Sequence, residues 1–111
     1  MELKNNEFLF KQGTLSTDLF FVSKGTLKVT SEKEGFIKEL ANIRPGELIG
    51  EMAFLDNRPR SASVKATSDC ILQVIDKKQY KEFIKNVPAW LIAFQKSLLA
   101  RLRDQNSVIN I

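Results

Sequence analysis

"GEMAFLDNRPRSAS", Gly50 to Ser63, connects two apolar segments and carries a carboxylate beside its opening glycine, a scatter of small residues and two arginines. Connections between strands in a small domain usually run to about two to five polar residues. A longer one holding Met52, Ala53, Phe54 and Leu55 reads as a binding loop, not a linker. Its residues suggest what it would bind. The N–H groups of Glu51, Met52 and Ala53, at the start of a short helical turn, are placed to surround phosphate oxygens, and small residues let the backbone come close. Arg60 adds a planar fork of donors for the same phosphate. Glu51 only accepts hydrogen bonds when ionised, so it suits a ribose hydroxyl. The pair selects a sugar phosphate.

Outward from the loop, "EFLF", "DLFFV", "TLKVT", "FIKEL", "ELIG", "SVKA" and "CILQVI" are short runs rich in β-branched and aromatic residues and read as strands. Gly13, "SKG" at 23–25, "EKEG" at 32–35 and "RPGE" at 44–47 supply turns, and turn geometry is the reading of Gly13, Gly25 and Gly46. Strands at this spacing, with turns about every ten residues, predict a mainly β fold, an antiparallel sandwich or jelly roll. From Asp76 the period changes. "DKKQYKEFIKN" sets Tyr80, Phe83 and Ile84 at helical spacing behind an aspartate cap with Gln79 three residues on, and Asn86 is its stop. Pro88 suits the first turn of a second helix running to about Gln105. Its stripe of Leu91, Phe94, Leu98 and Leu102, beside polar Lys96 and Arg103, serves either to pack on the barrel or to meet a partner helix or cover a ligand.

A length of 111 residues with 43% hydrophobic content supports one core and one domain, 1–111, with a barrel at about 7–75 and helices at about 76–105. No apolar run approaches the roughly 18 residues of a membrane span, and the start "MELKNNEFLF" lacks a signal-peptide pattern, so a cytoplasmic protein is expected. Cys70, alone within "CILQVI", is read as a small core hydrophobe. The absence of histidine removes the usual neutral-pH base, the Ser-His and Cys-His nucleophiles and the usual metal ligand. No catalytic residues, metal site or cofactor are expected: the chain reads as a binder. Seventeen basic against 13 acidic residues give a net charge of +4, spread along the chain and thus a weak argument for nucleic acid. Arg58 is read as a solvated charge.

At the loop the sequence resembles the phosphate-binding cassette of the cyclic nucleotide-binding domains, found in protein kinase A regulatory subunits, cyclic-nucleotide-gated channels and catabolite activator proteins. Gly50-Glu51, Ala53, Pro59-Arg60 and Ser61-Ala62-Ser63 fall on the family's pattern, with its kinase-type spacing from glycine to arginine. "FLFKQGTLSTDLFFVSKGTLKV" and "RPGELIGE" extend the likeness, which covers roughly residues 7 to 85. The resemblance implies an eight-stranded jelly roll, or double-stranded β-helix, with a short helix in the loop. It also implies a 3′,5′-cyclic nucleotide as ligand, Glu51 on the ribose 2′-hydroxyl and Arg60 on the cyclic phosphate. The family's residue after the arginine is small in cAMP binders and often threonine in cGMP binders; Ser61 lies between, with cAMP favoured.

The chain starts almost at the first strand, and only Ser107 to Ile111 follow the last helix. The family's preceding helix, DNA-binding module, kinase-inhibitor segment and channel pore are therefore not expected here, nor is direct DNA binding or membrane contact. The expected role is a regulatory sensor, either free-standing or cut from a larger protein, that relays occupancy through its last helix to an effector or a second copy in a homodimer. The alternative is an interaction module of the same fold that has lost nucleotide control.

Overall fold

The alternation of apolar and polar residues is visible in what the strands at Leu27–Lys33, Ser63–Ala66 and Cys70–Ile75 bury, whereas Phe36 and Ile37, read as strand residues, are exposed. The computed structural model describes the backbone of residues 1–105 and the side chains of 1–98 and 100. Its elements in chain order are β1 (Glu2–Leu3), β2 (Phe8–Phe10), β3 (Leu19–Lys24), β4 (Leu27–Lys33), β5 (Phe36–Ile43), β6 (Leu48–Ile49), α1 (Glu51–Asp56), β7 (Ser63–Ala66), β8 (Cys70–Ile75), α2 (Lys77–Ile84) and α3 (Ala89–Gln105). Two four-stranded antiparallel sheets, ordered β1-β8-β3-β6 and β2-β7-β4-β5, face each other in the expected jelly roll.

Leu27 and Val29 of β4 lie opposite Ala66 and Val64 of β7, and all four are fully or almost fully buried. Val22 pairs with Leu72 in the other sheet, so the inward rows of both sheets meet in one core with Phe10, Phe20 and Ile49. Truncating one such side chain, Leu27→Ala, removes transfer energy and opens a cavity, at a cost of about 2–5 kcal/mol. Cys70 is part of this core, its thiol donating to the Thr26 carbonyl at 3.3 Å, as read from its apolar surroundings. Gly25, at φ +94°, has the Asp69 carbonyl and Cys70 where a Cβ would stand, so only glycine fits this turn; Gly13 and Gly46 also have positive φ.

Three details depart from the sequence reading. The barrel begins upstream of residue 7, because Glu2 and Leu3 form a strand paired with Ile71 and Cys70, and the N-terminal ammonium donates to Leu72 O. Two residues are too few to show a period. In α2 the capping box forms as expected, with Gln79 N–H donating to Asp76 Oδ1 at 2.8 Å and Asp76 N–H to Gln79 Oε1 at 3.2 Å. Tyr80 and Ile84 are half-buried, however, while Phe83 is 76% exposed. On α3, Leu91 is half-buried but Phe94 and Leu98 are 55% and 44% exposed, so the barrel does not cover the stripe. The Leu102 and Arg103 side chains and Ser107 to Ile111 lie outside the described residues. No helix among the described residues is long and apolar enough to cross a membrane.

Candidate functional site

Gly50 ends β6 and caps α1 in a left-handed conformation, φ +94°, which reverses the chain without a side-chain cap. The first helical bond runs from Phe54 N–H to Gly50 O at 3.0 Å, leaving the N–H groups of Glu51, Met52 and Ala53 outside the helical ladder. Met52, Ala53 and Phe54 are buried and fix this turn against the barrel. Asn57, also left-handed, closes the turn by donating its N–H to Ala53 O at 2.9 Å.

Arg60 then re-enters the barrel mouth. Its N–H donates to Thr14 O at 2.8 Å and its carbonyl accepts from Gly13 N–H at 2.7 Å, pinning the loop to the β2–β3 connection. The side chain is 1% exposed. Nη1 donates to Gly50 O at 3.3 Å, and Nη2 to Asp18 O at 2.6 Å and Ser16 Oγ at 3.2 Å. The guanidinium carbon stands 4.1 Å from the centroid of the Phe10 ring and 5.8 Å from that of Phe20. Nε is buried without a partner, and no carboxylate is within ion-pair distance of Arg60 among the described residues. Burial lowers the pKa of this arginine, opposed by the charges of Asp18 and Glu51. Burial likewise pushes Glu51 up, against backbone N–H groups of Glu51 and Gly50 and the charge of Arg60, which pull it down.

The structure thus brings Gly50, Glu51 and Arg60 to one end of the barrel, with Met52 and Ala53 beneath the turn. The remaining loop residues are divided. Ser61 is exposed, Ala62 packs in the core at 1% exposure, and Ser63 Oγ accepts from Gln12 N–H at 2.9 Å, tying β7 to the end of β2. Arg58 is exposed, 3.8 Å from Asp56, in keeping with a solvated charge. Ser16, the Asp18 carbonyl and the rings of Phe10 and Phe20 join the site without having been singled out. Carbonyl acceptors leave no trace in sequence, and the two phenylalanines read equally well as strand residues. The loop also reaches the C-terminal helices: Tyr80 meets Phe54 edge-on at 5.1 Å, Lys77 donates to Asn57 Oδ1, and Tyr80 OH bonds Gln95 at 3.4 Å.

The sequence profile of the cyclic nucleotide-binding domain matches residues 1–87, and the chain belongs to that family. The cyclic AMP receptor protein of Thermus thermophilus is 32% identical over 93% of this chain and 48% of its own length. The type II regulatory subunit of cAMP-dependent protein kinase from Drosophila melanogaster is 31% identical over 72% of the chain and 22% of its own length. The chain therefore spans half or less of these relatives. Among solved structures, the EAL enzyme Bd1971 in its cAMP-bound and cGMP-bound forms superposes with TM-scores of 0.77 and 0.80, each at 28% identity. These alignments cover 95% and 96% of this chain and 28% of the enzyme.

Proposed function

We propose that this domain is a cytoplasmic cyclic nucleotide sensor in which Arg60 holds the cyclic phosphate, the α1 N–H groups and the backbone of Ser61 to Ser63 frame it, and Glu51 takes the ribose 2′-hydroxyl. The observation that carries this reading is the Arg60 charge, 1% exposed, with an orphan Nε and no carboxylate within ion-pair distance among the described residues. Carbonyls, a hydroxyl and ring faces satisfy the guanidinium only in part, and an anion would offset its buried charge. Because Arg60 is enclosed, a phosphate meets it only as the Gly50 and Asp18 carbonyls give way, so binding moves the loop. Phe54 and Lys77 would carry that movement into α2 and α3, and from there to an effector or a second copy. The cAMP named in the relatives, together with the small Ser61, favours cAMP over cGMP.

Calorimetric titration with cAMP, cGMP and 5′-AMP tests the reading. Both cyclic nucleotides should bind, cAMP the more tightly, and 5′-AMP should bind more weakly because its open phosphate is larger and more charged. If none binds, the domain is an interaction module that has kept the fold alone.

A further inference from the structure

A cavity of about 560 Å³ lies between α1, the ends of β3 and β6, and the two C-terminal helices. Its size is that of a site for a small organic ligand. Leu19, Leu48, Phe54, Ile84 and Ile92 give it apolar walls. Arg60 and Ser61 do not line it but Glu51 does, so it adjoins the place proposed for the ribose without including that proposed for the phosphate. The polar lining is strongly biased in charge: Lys77, Lys81 and Lys96 against Glu51 alone, and burial shifts Glu51 toward its neutral form. Lys77 is engaged by Asn57, whereas Lys81 and Lys96 are exposed and have no hydrogen-bond or ion-pair partner among the described residues. Such lysines lay apolar stems along a cavity wall and hold their ammonium groups in water. An apolar chamber with cationic groups at its opening complements a molecule with a long apolar body and one anionic end.

We propose that this cavity binds a single-chain amphiphilic carboxylate of the fatty-acid class, its chain against Leu19, Phe54 and Ile92 and its head group at Lys81 and Lys96. The cavity shares Glu51 with the proposed ribose contact, but the carboxylate head is held at Lys81 and Lys96, and neither Arg60 nor the loop's small residues take part. Being walled by Phe54 on one side and by α2 and α3 on the other, it would join the same elements that the loop touches.

Dodecanoate below its micellar concentration, titrated into the full chain by calorimetry, should bind saturably with one molecule per chain. Dodecyltrimethylammonium, of equal chain length and opposite charge, should bind about tenfold or more weakly. The double variant K81E/K96E should lose dodecanoate affinity by about tenfold or more while keeping the wild-type circular dichroism spectrum and melting temperature, both positions being exposed. Ile92→Trp, which narrows the chamber and crowds the chain's path along its wall, should weaken binding of both probes. No saturable dodecanoate binding, equal binding of the two probes, or an unchanged affinity in a folded K81E/K96E protein would overturn the proposal. None of these readouts depends on whether a cyclic nucleotide binds.

Discussion

Arg60 Nη1 donates to the carbonyl oxygen of Gly50 at 3.3 Å, and the space where a Gly50 side chain would begin is filled by that same guanidinium. The glycine therefore does two jobs: its φ of +94° turns β6 into α1, and its missing Cβ makes room for the charge.

Gly50→Ala should be costly on both counts. An alanine there is held in the left-handed region, at roughly 1–2 kcal/mol, and displaces Arg60 from a packed site, for roughly 1–3 kcal/mol more. Chemical denaturation should show a loss within the sum of these ranges, and cyclic nucleotide affinity should fall with it. A variant with unchanged stability and affinity would mean that the loop is not held as described.

Replacing Arg60 by Met separates a structural arginine from a ligand-binding one. If the guanidinium is kept for an anion, its burial beside neutral acceptors is a liability in the free protein, and an apolar side chain of similar length relieves it. The melting temperature of Arg60→Met should match or exceed that of wild type. A fall of about 5 °C or more would assign the arginine to holding the loop, since about 1 kcal/mol moves the midpoint of a domain near this size by about 4–8 °C.

Glu51 gives a pH signature. Its carboxyl is raised by burial, so in the window between its ordinary and its raised value the folded state binds more protons than the unfolded chain. Stability from this group is then complete below the usual carboxylate range and is lost as pH rises through the raised value. Glu51→Gln should accordingly raise the melting temperature at pH 7, with the difference vanishing below about pH 4. A constant difference at both pH values would remove the burial argument.

The same residue can be tested through the ligand. Glu51→Ala should weaken cAMP binding by about 10- to 150-fold, as expected for roughly 1.5–3 kcal/mol from a charge-assisted hydrogen bond. For 2′-deoxy-cAMP, which lacks the hydroxyl, wild type should bind weakly and the variant almost equally so. Equal losses for both ligands would place Glu51 elsewhere than on the ribose.

Much of this was legible in the residues because the relevant physics is local. Alternation in "TLKVT" and "SVKA" buries Leu27, Val29, Val64 and Ala66 on one face, and Asp76 with Gln79 encodes a cap within four residues of chain. The short turn at Glu51–Asp56 is read from the loop's residues, and Arg60 is singled out by its donor fork and by its place in the family's pattern, whereas its burial is seen only in the structure. What escaped is set by tertiary contact. Strand β1 exists because β8 is there to pair with it, and Phe83 is exposed because α2 turns Tyr80 toward Phe54. The acceptors of Arg60 at Asp18 and Gly50 are backbone carbonyls, which every residue carries.

The central claim, that Arg60 is the anion-binding group of a cyclic nucleotide site, is tested most directly by calorimetric titration of cAMP into wild type and Arg60→Met, each shown to be folded by circular dichroism. Removing one member of a buried, hydrogen-bonded charge pair costs roughly 2–5 kcal/mol, or about 30- to several-thousand-fold in affinity. Wild type should therefore bind cAMP, and the folded variant should bind it weaker by at least the lower figure. Equal affinity in the two proteins would contradict the assignment and leave the arginine as a purely structural brace of the loop.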